Sequence, residues 1–159
     1  MKKSSTIFLQ AVVALIAIVA LVIMIRFPLT EGRATNLDLF NIYADPFLVY
    51  GYAASIGFFT ALYQAFKLLG LVGQNQAFSL NSVRALRIIK YCAIILAVLI
   101  VMAAIYIRIF HAQGDDPAGF IAIAILTTFI SIIVAAAATV FERIVQKAIA
   151  IKSENDLTV

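Results

Sequence analysis

The chain is short of charge. Only 13% of its residues are Asp, Glu, Lys or Arg, while 64% are hydrophobic. Ordinary soluble domains are about a quarter charged and about half apolar. That contrast excludes an ordinary soluble domain, and a mean hydropathy of +1.06 points to a membrane protein. Cysteine is almost missing. Cys92 is the single one, so an intramolecular disulfide is excluded and the redox compartment cannot be read. Cys92 stands in an apolar run, where a buried, inert thiol is expected. Histidine is equally scarce, with His111 alone. There is no glycine-rich phosphate motif, no nucleophile beside a local base and no metal-ligand spacing. The chain is therefore expected not to be an enzyme and to carry no cofactor.

What is present is long uncharged runs. A membrane span takes about 20 residues, and 159 residues leave room for four spans and their connections. The first run, Ile7 to Ile25, follows Lys2 and Lys3 but ends in Met24-Ile25-Arg26-Phe27-Pro28. That end offers no small-residue cleavage site, so the run reads as a retained helix over about 6–26. Ala11, Ala14, Ala17 and Ala20 give it one side small enough for close helix approach. A connector with Pro28, Gly32, Asn36 and Asn41 follows. Asp45-Pro46 then reads as an N-cap with proline at the first helical position.

The second span covers about 46–69. Tyr50 and Tyr52 lie early in it, at aromatic-belt depth, and Gly51 and Ser55 form a small pair at spacing four. Gly70 and Gly73 are expected to break the helix. The third span covers about 88–110. Its uncharged centre, Tyr91 to Ile107, is flanked by Lys90 and Arg108, which are expected to snorkel to the two interfaces. Ala93 and Ala97 are its small pair. The fourth span covers about 117–141, opened by a second Asp-Pro at Asp116-Pro117, with Ser131, Ala135 and Thr139 as its small stripe. Beyond it, residues 142–159 read as a cytoplasmic extension and tail. Ile144, Val145, Ala148 and Ile149 lie on one side there, and Arg143, Gln146 and Lys147 on the other. The whole chain reads as one domain, an all-α bundle of four transmembrane helices.

Charge sets the expected orientation. Nine of the 12 basic residues lie at the N-terminus, in the middle loop together with Lys67 just before it, or in the tail. The other two connectors hold Arg26, Arg33 and Arg108 with five of the eight acids. The positive-inside rule then places both termini and the middle loop in the cytoplasm. The basic pI near 9.4 follows from this topology, and direct nucleic-acid binding is not expected.

Three groups are candidates for chemistry. His111 with Asp115 and Asp116 has the residue types to ligate a cation. A helix cap (Asp116), a charge at the helix's positive end (Asp115) and a solvated loop histidine account for them without a metal. Within the spans, Gln10, Ser55, Thr60, Thr127, Thr128 and Ser131 are the mild polar groups, expected to make interhelical hydrogen bonds. No span carries a central charge, which argues against a proton-coupled carrier. An oligomeric small-molecule transporter or pore subunit, assembling through small-residue faces, is the alternative reading. A membrane enzyme would need a site around His111 and Asp115.

The third group is the middle loop, Gly73 to Lys90. It holds no acid, only Arg84, Arg87 and Lys90. Ser79 is placed to cap a helix starting near Leu80, which would put Leu80, Val83 and Leu86 on one side. The arginines alone fit a lipid anchor. Phe78, Asn81, Val83 and Leu86 are not explained by charge, so Phe78, Asn81, Val83, Arg84, Leu86 and Arg87 are expected to form a docking surface, together with Asp156 and Leu157 in the tail.

The segment Ala77-Phe78-Ser79-Leu80-Asn81-Ser82-Val83-Arg84-Ala85-Leu86-Arg87-Ile88-Ile89 is similar to a pattern in a bacterial four-span family, domain-of-unknown-function family twenty-nine seventy-five. That pattern runs Phe-Ser/Thr, Asn-Val, then Leu-Arg-x-Ile. The terminus Glu154-Asn155-Asp156-Leu157-Thr158-Val159 resembles the family's ending. Here Leu80 stands where the family often has an acid before its Asn. The resemblance implies fold and location. Through gene neighbourhood it also implies a small Cro/CI-type helix-turn-helix regulator as partner. The tail is expected to be a short extended segment able to sit in a groove or add to a sheet edge.

Overall fold

A computed structural model describes residues 3–30, 43, 45–110 and 117–157. The described residues form four long helices and no strand. They are α1 (Lys3–Thr30), α2 (Pro46–Gly73), α3 (Leu80–Phe110) and α4 (Ala118–Leu157). All four are long and apolar enough to cross a membrane. The reason is general: in lipid the backbone must satisfy its own hydrogen bonds, and a helix does so within one segment. The apolar side chains on the outer faces are lipid-facing surface, not a packing defect.

Local chemistry fixes the helix ends. Asp45 Oδ1 accepts from the backbone N–H of Phe47 at 2.8 Å and Leu48 at 3.3 Å, with Pro46 at the first position of α2. At the other end α2 runs past Gly70 and ends at Gly73, and the residues after it make the termination. Asn75 takes the left-handed conformation at φ 60. Its N–H donates to Val72 O at 3.2 Å, and Gln76 N–H donates to Leu71 O at 2.8 Å. This paired return is a Schellman termination with Asn at the position usually held by Gly.

The glycines also serve packing. A Cβ on Gly73 would lie 3.1 Å from Thr6 Cγ2, and one on Gly70 would lie 3.2 Å from Gln10 Nε2. They let the start of α1 lie close against the end of α2. Gln10 Nε2 donates to Phe66 O at 3.2 Å there. Thr6 is buried in this contact.

Sustained packing runs between helices adjacent in sequence: α1 with α2, α2 with α3 and, most extensively, α3 with α4. The α3–α4 seam has a regular spacing. On α4 the buried positions are Ala124, Ala135, Ala138, Glu142 and Val145, and on α3 they include Ser82, Leu86, Ile89, Ala93 and Ala103. Steps alternating between three and four residues recur along both helices, as in coiled-coil packing. Small residues dominate the seam, because close backbone approach replaces hydrophobic driving force between helices in lipid.

The expected packing residues divide on this geometry. Ala93 and Ala135 are buried in the seam. Ala14, Ala97 and Ser131 are half-buried. Gly51 is exposed, and a Cβ there would meet nothing within 4 Å, so it is not a contact in this fold. Ser55 is half-buried but turns back on its own helix, donating to Tyr52 O at 2.6 Å.

The other small hydroxyls also bond locally. Thr60 donates to Ile56 O, Thr127 to Ile123 O, Ser131 to Thr127 O and Thr139 to Ala135 O. Each reaches a carbonyl one turn back, a bond always within range of a helical Ser or Thr. Longer side chains make the interhelical bonds, Gln10 as expected and three tyrosines. Tyr50 Oη donates to Leu99 O at 2.7 Å, Tyr52 Oη to Met24 O at 3.0 Å and Tyr43 Oη to Ile25 O at 3.0 Å. The phenol is long enough to cross to the neighbouring backbone, so these residues tie helices together beyond any belt role.

Candidate functional site

These contacts gather the start of α1, the end of α2, the start of α3 and the end of α4 at one end of the bundle. Tyr50–Leu99, Tyr52–Met24 and the edge-to-face pair Phe47–Phe120, with centroids 5.8 Å apart, mark the opposite end. The first end carries the loop singled out above. That loop proves short: only residues 74–79 separate α2 from α3.

Ser79 opens α3 as its composition suggests. Its Oγ accepts from Ser82 N–H at 3.3 Å, and its carbonyl accepts from Ser82 N–H at 3.0 Å and Val83 N–H at 3.2 Å. Ser82 is fully buried at 0% exposure, and its Oγ donates to Gln76 O at 3.2 Å. A hydroxyl at this spot therefore stitches the connection onto the first turn of α3.

The first turns of α3 then divide into two faces. Val83, Ala85, Leu86 and Ile89 point inward. Val83 and Leu86 form a small core with Val145, against which Leu68 and Ile149 pack. Phe78 at 63% and Leu80 at 67% exposure point outward, with Asn81 and Arg84. Leu80 thus does not share a face with Val83 and Leu86. The expected docking set is corrected accordingly. Val83 and Leu86 are core residues because helical geometry sets them on the α4 side. Phe78, Asn81 and Arg84 remain surface residues.

Arg87 is also engaged internally. Its Nε donates to Glu142 Oε1 at 2.8 Å, and Lys90 Nζ donates to Oε2 at 2.7 Å. Glu142 is only 5% exposed. One buried carboxylate at a seam position of α4 thus binds two cations of α3 through separate oxygens. The cations are not equal: the Arg87 side chain is 51% exposed and that of Lys90 only 19%. Lys90 also lies 5.0 Å from the centre of the Tyr91 ring. Lys90, expected to snorkel to the interface, has its ammonium on this carboxylate. It is an interhelical ligand of Glu142, as is Arg87. Glu142 belongs to this clamp and not to the outer surface of the extension.

The extension is helical, as its apolar and polar sides suggest, and the helix runs on through Leu157, into the last segment, which was expected to be extended. Its uncharged run ends at Phe141, and the helix simply continues. Val145 is buried, Ala148 and Ile149 are half-buried, and Arg143, Gln146 and Lys147 are exposed. Asp156 and Leu157 fall in the last turn of α4, and their side chains lie outside the described residues. So do His111, Asp115 and Asp116, and with them the candidate cation site. Among the described residues no group of three metal-ligating side chains comes together.

Comparison with known proteins agrees with this architecture. The chain is 42% identical, over the full length of both proteins, to the "Uncharacterized membrane protein YoaS" of Bacillus subtilis (strain 168). No solved structure matches it. A family model matches residues 28–159, which takes in α2, α3 and α4 and leaves nearly all of α1 outside. It is thus a multi-pass membrane protein that belongs to the family described as Protein of unknown function (DUF2975).

Proposed function

We propose that this protein is an interaction protein of the bacterial inner membrane whose cytoplasmic end binds a soluble partner. The observation that carries this reading is the outward face of the α3 start. Phe78 and Leu80, two large apolar side chains, stand exposed beside Asn81 and Arg84 at the polar end of the bundle. In the lipid-facing middle of a span such exposure is ordinary. At a helix start next to a polar connection it resembles an interface core awaiting a partner. The Ser79 cap and the Glu142 clamp hold this face rigid, which lowers the ordering cost of binding. Exposed Arg143, Gln146 and Lys147 on α4 extend the surface. A small helix-turn-helix regulator, implied by the resemblance, is the partner this reading favours.

Pull-down of solubilised protein with a small helix-turn-helix regulator, where a neighbouring gene encodes one, tests the idea. Phe78→Ala with Leu80→Ala is expected to abolish recovery while leaving membrane insertion intact. Recovery unchanged by both substitutions sinks the docking face. A second arm removes residues 153–159 and reads whether the end of α4 contributes. For orientation, a reporter active only in the cytoplasm is expected to work when fused after Val159. Activity there of a reporter restricted to the other side would reverse the assignment.

A further inference from the structure

At the end of the bundle opposite the Glu142 clamp, α3 and α4 border an open groove of about 610 Å3. Its shape follows from residue size. Ala104, Ala124 and Thr128 make a floor of small side chains, while Ile105 and Ile109 on α3 and Ile125 and Phe129 on α4 rise as walls. These four wall residues are all exposed. The volume lies within the range of about 300–1,000 Å3 typical of small-molecule sites. One charged group joins the lining, Arg108, near the end of α3. An apolar trough with an arginine in its lining is complementary to an anionic amphiphile. The alkyl chain fills the trough, and the phosphate meets the cation at the interface.

We infer that this trough is a selective site for an anionic phospholipid of the surrounding bilayer. Arg108 is the selecting residue. It takes part in an interaction of its own within the chain, and its guanidinium has five donors in a planar fork suited to phosphate. Arg26 is the other described cation near this end, but it lies on α1, which packs on α2. It therefore serves as the control.

The chain has no tryptophan, so Phe129→Trp installs a single one in the trough wall, excited apart from the tyrosines. This variant is reconstituted in phosphatidylcholine vesicles containing either chain-spin-labelled phosphatidylglycerol or chain-spin-labelled phosphatidylcholine. The anionic label is expected to reach half-maximal quenching at a mole fraction about fivefold lower, the size of one basic side chain's attraction to anionic lipid. Arg108→Gln is expected to erase that difference, and Arg26→Gln to keep it. Ala104→Phe, which fills the floor, is expected to weaken quenching by both labels. Equal quenching by the two labels means that bulk lipid fills the trough without selection, and overturns the inference. Absence of quenching by either label, as when a second copy of the chain covers the trough, overturns it too. So does a preference that survives Arg108→Gln.

Discussion

Replacing Glu142 with Gln keeps the shape of the side chain and removes its charge. Arg87 and Lys90, which now donate to it at 2.8 and 2.7 Å, would then face each other across a neutral group. Breaking a fully buried ion pair by deleting one partner costs about 3–5 kcal/mol. The clamp is not fully buried on both sides. Arg87 is about half exposed and swings into water readily, while Lys90 is mostly covered. The expected loss for Glu142→Gln is therefore about 2–3 kcal/mol, below the fully buried range. Arg87→Gln removes a half-exposed partner and is expected to cost about 1 kcal/mol or less. Lys90→Gln should fall between them. Thermal unfolding of the purified protein in mild detergent, followed by loss of monodisperse protein, reads the order. For a chain of this size about 2–4 °C per kcal/mol is expected. The decisive element is the order Glu142 > Lys90 > Arg87. If Glu142→Gln proves neutral, or Arg87→Gln proves the most harmful, the carboxylate does not organise the α3–α4 seam and the reasoning fails. A double-mutant cycle between positions 90 and 142 isolates the pair term.

Three further outcomes follow from single contacts. Gly73→Ala drives a Cβ to 3.1 Å from a buried, β-branched Thr6, so it is expected to destabilise the α1–α2 contact. Gly51→Ala meets open space and is expected to stabilise α2 by about 0.5–1 kcal/mol; thermal unfolding of both variants gives the opposite signs. Tyr50→Phe removes only the hydroxyl that reaches Leu99 O at 2.7 Å, and a loss of about 0.6 kcal/mol by the same assay is expected of one interhelical bond in lipid. Asn75→Gly is expected to be neutral or mildly stabilising, whereas Asn75→Val at φ 60 should cost about 1–2 kcal/mol, measured as a shift in the unfolding midpoint.

The helices were legible because lipid leaves the chain little choice. An uncharged run of membrane length must become a helix, and Asp45-Pro46 and Ser79 act on backbone groups two to four residues away. Pairing between helices was less legible. Gly70 and Gly73 carry the same letters whether they end a helix or admit a neighbour. The end was instead set by Asn75, in a conformation that only the folded backbone reveals. Serine and threonine looked like interhelical donors, but a carbonyl of their own helix was closer. Glu142 was the largest omission. Its partners lie 52 and 55 residues away, and the basic residues of α3 were already explained by topology. A signal did exist: Ala135, Ala138, Glu142 and Val145 follow one seam, and an acid on such a seam needs cations opposite.

That pairing changes how the polar end is read. Arg84, Arg87 and Lys90 look like one basic patch in sequence, yet two of the three donate to a single carboxylate inside the bundle. The charge from which the loop's orientation was expected is largely spent on holding α3 against α4. Recognition by charge alone then falls mainly to Arg84, with Arg143 and Lys147 on the neighbouring helix. On the docking reading proposed above, a surface so reduced in charge discriminates by shape, which is where the exposed Phe78 and Leu80 enter. Substitutions at Arg84 should therefore alter association rate and salt dependence, while substitutions at Phe78 should alter the lifetime of the complex.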